Sequence, residues 1–390
     1  MPAFNALLVS GPCFIHNLPV ELLERVFIEV MMAGMEIYSP YASPFVILEV
    51  CKLWNTMVMS CPALWSTYSA PVELLPFTQQ ILCRSGNHPL NLRFEATNLK
   101  GELGYQETYQ YLLQLSHRWK VIDFRLYETM VPDFLTALSK TTDTLQSLVL
   151  YMDDTAMIPI AEIVSEHCQS LRHLELVSFS LYNQRKVISF PWSRLTSITI
   201  STSSAITISD GRYLIASCTS AKSIQLGVIK NEEGTAPGYN WDSSSISTLP
   251  ALESLCLVVK QLDPANILKH FTLPNLQHLE LRHFRSFICD PPSFGSFLTQ
   301  SGCQLRKFVL DATGTTRNSQ LVAEILLLEP LQAVKIIEFR LQGVYRKSIF
   351  DSFARMGRRP SFYAKIRPYG LGLPGVYIDQ SHPVTRSLYY

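Results

Sequence analysis

Residues able to do chemistry are sparse in this chain. Nine cysteines are scattered along it (Cys13, Cys51, Cys61, Cys83, Cys168, Cys218, Cys256, Cys289 and Cys303), with no Cys-x-x-Cys pair among them. That spacing suits reduced thiols packed as small hydrophobes better than a zinc site or a disulfide framework. Cys51 and Cys61 could act as nucleophiles only beside a base, and Cys51 lies on an apolar helical stripe where a thiol normally packs. His173, Cys256 and His278 are of metal-ligating types on one predicted face. The two histidines are four strands apart there, roughly 19 Å, whereas zinc needs its ligands at about 2 Å. The string Gly370-Leu-Gly372-Leu-Pro-Gly375 has the spacing of a dinucleotide phosphate loop, but it lacks the strand before and the helix after that such a site requires. There is no Gly-x-Ser-x-Gly, no His-Glu-x-x-His and no phosphate loop ending in Lys-Ser/Thr. No catalytic, cofactor-binding or metal-ligating residue is expected, and the chain reads as non-enzymatic.

The elements that do stand out are binding elements. From Asn17 the sequence NLPVELLERVFIEVMM places Leu22, Leu23, Val26, Phe27 and Val30 at helical three-and-four spacing. Pro19 in the first turn and Glu21 near the amino end favour a helix start near Leu18. A second stripe, PFVILEVCKLWNTMVMS, carries Ile47, Val50, Cys51, Trp54, Met57 and Val58. Helices are therefore expected over about 18–31 and 46–58, followed by the turn CPALWSTYS with Pro62, Leu64 and Trp65. About 50 residues cannot hide this many large apolar side chains from water. At roughly 1.5–3 kcal/mol each, four or five of them docked on a partner supply ample gross binding energy.

These three blocks, LPVELLERVF, VCKLWNTMV and CPALW, resemble the F-box, a module of about one eighth of the chain's length, although the GMEIYSPYASPF connection is longer than usual. The resemblance implies insertion into the Skp-family adaptor of a cullin-RING ubiquitin ligase. It assigns adaptor contacts to Leu18, Pro19, Leu22, Leu23, Val26, Phe27, Val50, Cys51 and Trp54, with Pro62, Leu64 and Trp65 closing the module.

Beyond residue 85 a hexamer of the form apolar-x-x-apolar-x-apolar recurs. It starts at Pro89, Trp119, Leu145, Leu171, Leu195, Ala221, Leu252, Leu276, Leu305 and Val334, at intervals of 24 to 31 residues. The series resembles leucine-rich repeats, in which each hexamer is a short strand of a parallel sheet with its first, fourth and sixth side chains inward. PDFLTALSK, PIAEIVSEHC, DPANILKH and NSQLVAEILLLE read as return helices, and Asp263 before Pro264 as a helix start. The insertion NEEGTAPGYNWDSSS accounts for the interval of 31. The turn position that the family fills with Asn or Cys holds Thr97, Asp153, Phe179 and others here, which makes the repeats divergent.

The expected fold class is thus α plus α/β. A helical F-box module (14–70) leads through a connecting segment (71–86) to a leucine-rich-repeat-like α/β solenoid with a parallel sheet (87–345) and a basic cap or tail (346–390). Outward strand positions would form the target-binding face: Arg93, Asp123, Arg125, Tyr151, His173, Glu175, Gln225, His278, Glu280, Arg282, Lys307, Glu338 and Arg340. No charge sign dominates this set, which suits a protein target better than a polyanion, and the formal net charge of +1 agrees. From Arg340 to Arg367 eight Lys/Arg face Asp351 alone, a patch that a solvated cap explains as well as a nucleic-acid site does.

The expected activity is that of a non-catalytic substrate receptor without cofactor, bridging a protein target to the ligase. No membrane or nucleic-acid partner is expected. The absence of a signal-like amino terminus, an apolar span and an Asn-x-Ser/Thr sequon points to the cytoplasm or nucleus. The competing reading is a repeat scaffold whose F-box-like helices only cap a solenoid.

Overall fold

A computed structural model of the chain describes residues 15, 18–36, 44–70, 75–95, 103–141, 143–151, 157–177, 182–183, 186–187, 190–201, 205–231, 246–284, 288–312, 319–341, 363–368 and 376–379. The chain divides into two compact units, Met1–Phe124 and Arg125–Tyr390.

The first unit begins with α1 (Val20–Glu36), α2 (Pro44–Leu48), α3 (Lys52–Ser60) and a 3-10 turn over Pro62–Trp65. It continues through β1 (Thr67–Ala70), α4 (Leu75–Arg84), β2 (Leu90–Glu95), α5 (Leu103–Gln114) and β3 (Trp119–Arg125). β1 and β2 pair in parallel, with Thr67 opposite Asn91, and β3 follows β2 in the sheet. Pro19 opens α1 by accepting hydrogen bonds from the Leu22 and Leu23 amides through its carbonyl, which puts the helix start two residues later than expected.

The single helix expected over 46–58 is two helices. Cys51 is fully extended (φ −162°, ψ 167°) and separates α2 from α3. The β-branched run Val46, Ile47 and Val50 weakens helix formation there. The break is stabilised locally, since the Asn55 side-chain amide donates to the Leu48 carbonyl at 3.3 Å. Arg118 ties the loop after α4 to the start of β3. Its guanidinium donates to the His88 carbonyl at 2.8 and 3.0 Å and to Ser85 Oγ at 2.6 Å.

In the second unit α6 (Val131–Leu138) precedes β4 (Ser147–Tyr151), α7 (Met157–His167) and β5 (His173–Val177). Then come β6 (Tyr182–Asn183), β7 (Lys186–Val187), β8 (Ser197–Ser201), β9 (Ile206–Thr207), α8 (Ile208–Ser217) and β10 (Ser223–Lys230). They are followed by β11 (Ser247–Thr248), β12 (Ser254–Lys260), α9 (Ala265–Leu268), β13 (Phe271–Thr272) and β14 (His278–Phe284). Last are α10 (Pro291–Ser301), β15 (Lys307–Ala312), α11 (Ser319–Leu326), β16 (Ile336–Leu341), β17 (Tyr363–Pro368) and β18 (Val376–Asp379). The unit's main sheet runs in the order β4-β5-β8-β10-β12-β14-β15-β16-β17-β18, with β9 beside β10. Its strands are parallel through β17, and β18 closes the order antiparallel. The fold is α/β, a parallel sheet with helices between strands.

Each hexamer coincides with a strand, and its described apolar positions are buried, except for the exposed Pro89 that opens the first. Leu145, Leu148, Leu150, Leu195, Ile200, Leu252, Leu257, Leu276, Phe308 and Leu310 are all fully enclosed. At about 25 cal/mol per Å² of apolar area removed from water, this repeating triplet is the dominant stabiliser of the sheet.

A backbone device recurs with it. The carbonyls of Arg172, Thr196, Lys222, Glu253 and Gln277 each accept two amide donors from the start of the next strand, for example Thr196 and Ser197 on Arg172. A carbonyl has two lone pairs, so the residue at the second hexamer position fixes the register of its neighbour.

The return helices expected near 132–140, 159–168, 263–270 and 318–329 are α6, α7, α9 and α11. Asp263 does cap: its carboxylate accepts from the Ala265 amide at 2.8 Å and from the Asp290 amide at 3.0 Å. Residues 232–245 of the expected insertion and the glycine string 370–375 lie outside the described residues, as does most of the basic tail. Among the described residues no helix is long and apolar enough to cross a membrane.

Candidate functional site

The first helix carries two apolar stripes at spacing four. Leu23, Phe27 and Met31 are 1%, 4% and 2% exposed, whereas Leu22, Val26 and Val30 are 49%, 45% and 54% exposed, with Leu18 one turn before them at 39%. Positions 22, 26 and 30 are offset from 23, 27 and 31 by about 100° around the axis. One stripe therefore enters the unit's interior and the other is left in solvent.

The inward stripe meets α3 through Phe27 and Trp54, whose rings lie edge to face at 4.7 Å. Trp65 is fully buried below them; its indole N–H donates to the Val58 carbonyl at 2.8 Å, and the Arg84 guanidinium lies 4.6 Å over its ring. Phe45 packs against both Trp65 and Phe77.

Of the residues the F-box resemblance assigned to the adaptor, Leu18, Pro19, Leu22, Val26 and Val50 are exposed. Cys51 and Trp54 are half-buried, and Leu23 and Phe27 are interior. Among the closing residues Leu64 and Trp65 are buried and Pro62 is exposed at the head of its 3-10 turn. Exposed Val20, Val46, Leu53 and Met59 enlarge the apolar surface and were not singled out in the sequence. An open depression of about 440 Å³ at the α2–α3 junction is lined by Leu48, Glu49, Cys51, Lys52, Asn55 and Thr56.

The second candidate surface is the face of the sheet opposite the buried triplets. Val149, Glu175, Thr199, Gln225, Cys256, Glu280, Val309 and Glu338 stand opposite one another strand by strand in a continuous row. One row toward the strand starts are His173, His278 and Lys307, and toward the strand ends Tyr151, Arg282, Asp311 and Arg340. Arg125, exposed, lies 5.0 Å over the Tyr151 ring. In the first unit Arg93 pairs with Asp123 at 3.2 Å.

Glu280 accepts from Arg282 at 2.8 Å, and this bond holds the guanidinium more firmly protonated than usual. Lys307 reaches the buried Glu338 at 3.5 Å. Burial pushes the His173 imidazole below its ordinary pKa and keeps it neutral.

His173 and His278 are separated by β8, β10 and β12, which preserves the four-strand distance between them. Among the described residues no three His, Cys, Asp or Glu side chains converge on a metal-sized space. Burial raises the thiol pKa of Cys61, Cys168, Cys218, Cys289 and Cys303, which suits packing and not nucleophilic chemistry.

A helical amino-terminal segment with surplus apolar surface, followed by a parallel α/β sheet, defines this chain as an α/β protein with two candidate binding surfaces. No protein-family model matches the sequence, and no curated protein matches it.

Proposed function

We propose that this chain is a non-catalytic substrate receptor. Its amino-terminal helices act as an F-box held by a Skp-family adaptor of a cullin-RING ligase, and its sheet-bearing unit acts as a divergent leucine-rich-repeat solenoid that holds a protein target. The observation that carries the reading is the outward stripe Leu22, Val26 and Val30 on α1, with Leu18 just before the helix, half exposed alongside an inward stripe that already fills the interior. Water-exposed apolar residues at i, i+4 spacing are what a helix lays into a partner groove. A helix serving only to cap a solenoid would have that stripe covered, and Leu22 is 49% exposed. The receptor acts by proximity: holding a target beside the ligase raises the effective concentration of its lysines, so no residue of this chain takes part in bond making.

The test is co-purification of the full chain with a Skp adaptor, comparing the parent with Leu22→Asp and Val26→Asp. Both substitutions fall on solvent-facing positions and leave the interior intact, so adaptor binding should be lost while the thermal transition is kept. Retention of the adaptor by both variants sinks the assignment.

A further inference from the structure

The outward face of the second unit's sheet is not uniform. On β14, β15 and β16 several outward side chains are already paired or covered: Glu280 holds Arg282 at 2.8 Å, Lys307 reaches Glu338 at 3.5 Å, and Val309 is 2% exposed. The three strands before them, β8, β10 and β12, present a different chemistry. Ser197, Ser223 and Ser254 stand opposite one another in one row, and Thr199 and Gln225 stand opposite each other two residues further along. All five are half-buried, and none of their side chains makes a hydrogen bond among the described residues. None of their polar atoms is shut off from the surface either. Hydroxyls elsewhere in this unit are used within the fold, as Ser217 donates to the Tyr213 carbonyl at 2.8 Å and Thr141 to the Leu138 carbonyl at 2.7 Å. On an interior strand the main-chain groups are taken by the ladder, so an outward hydroxyl has no local acceptor. The row is bordered by His173 on β5 and His278 on β14, about 19 Å apart by strand spacing.

We infer that this patch receives an extended, uncharged polar segment of the target, laid across the strands from β5 to β14 and hydrogen-bonded by Ser197, Thr199, Ser223, Gln225 and Ser254. Each hydroxyl, like the Gln225 carboxamide, both donates and accepts, which matches the N–H and C=O groups of a peptide main chain that has no ladder of its own. Short side chains at Ser197, Ser223 and Ser254 let that main chain come close. The distance between the bordering histidines is covered by about six extended residues. An apolar partner would strand five polar groups away from water. A charged partner would gain no counter-charge, because all five residues are neutral and Arg282 on the bordering strand already holds Glu280. This deepens the receptor reading and rests on the sheet face being the target surface.

The experiment is fluorescence anisotropy on the full chain with four labelled probes: a nine-residue peptide of Asn, Ser and Gln, one of alternating Glu and Ser, one of alternating Lys and Ser, and a hexasaccharide of glucose. The uncharged peptide should bind best, and its affinity should hold as salt rises. Ser197→Ala, Ser223→Ala and Ser254→Ala together should weaken it about tenfold. The triple variant should melt at the parent temperature, because these hydroxyls make no bond in the free chain. Ser220→Ala, in the exposed turn after α8, should leave binding unchanged. Preference for either charged peptide, tighter binding of the hexasaccharide, or absence of binding by the uncharged peptide overturns the proposal. So does unchanged affinity or a lowered melting temperature in the triple variant, or an equal loss in Ser220→Ala. Adaptor co-purification run on the same samples separates the two readings. Peptide binding without the adaptor sinks the receptor function and leaves the patch standing, and adaptor binding without the peptide does the reverse.

Discussion

Phe27 and Trp54 meet edge to face with ring centroids 4.7 Å apart and planes at 61°, joining α1 to α3. The contact separates residues that build the amino-terminal unit from those free to dock. Phe27→Ala is expected to cost about 3–5 kcal/mol, the usual penalty for emptying a buried aromatic site. A double-mutant cycle of Phe27→Leu with Trp54→Leu, followed by urea unfolding, should return a coupling of about 0.5–1.5 kcal/mol. Coupling near zero would mean the rings do not hold the helices together.

Much of the sheet was legible because one signal was repeated. A lone apolar hexamer is commonplace, but ten at 24 to 31 residue intervals identified the strands, and burial of Leu148, Leu174, Ile198 and Leu255 follows their inward register. What escaped were elements whose formation depends on tertiary fit. The helix α8 contains Gly211, a poor helix residue, because a Cβ there would approach Ile229 Cδ1 to 3.3 Å. The sequence does not announce α10, with two prolines and Gly295, although its Asp290 and Gly302 caps are visible once its ends are known. On α1 the apolar residues read as a single face, and only the packing of Phe27 against Trp54 separates inward from outward. The opposition of Lys230 and Lys260 escaped for a different reason, since it depends on a register shift between Leu226 and Val228.

The caps of α10 give the next expectation. Asp290 accepts from the Ser293 amide at 3.0 Å, and Gly302 closes the helix at φ 60°, ψ 19°, donating to the Leu298 and Thr299 carbonyls. A Cβ at Gly302 would meet nothing within 4 Å, so Gly302→Ala tests backbone conformation alone and should cost about 1 kcal/mol. Asp290→Ala should cost a similar amount, about 1 kcal/mol, through the lost cap. Chemical denaturation of the two single variants would check both values.

Acid should weaken the second unit through His173. Burial lowers its folded pKa below the unfolded value, so beneath pH 6.5 the unfolded chain binds the proton first. The neutral form's contribution is intact above that pH and is lost as pH falls through the unfolded pKa. His173→Gln should flatten the decline in denaturant midpoint between pH 7 and pH 5, and an unchanged slope would exclude His173 as its source.

The opposite sign holds at alkaline pH for Cys218. It is buried at the carboxyl cap of α8 with Sγ donating to the Leu214 carbonyl at 2.9 Å, and burial pushes its pKa up to about 12. An unfolded thiol ionises near pH 9, so between there and about 12 the folded chain retains a proton that the unfolded chain has released. Stability then falls as pH rises, by up to about 1.4 kcal/mol per pH unit from this group. Cys218→Ala should reduce the loss measured between pH 8 and pH 10. The same burial governs reactivity, because the thiolate is the nucleophile. In the native chain at pH 8 maleimide should label exposed Cys83 quickly, and Cys218 should react only at the rate at which α8 opens. Labelling of Cys218 as fast as Cys83 would mean that this helix is not packed as described.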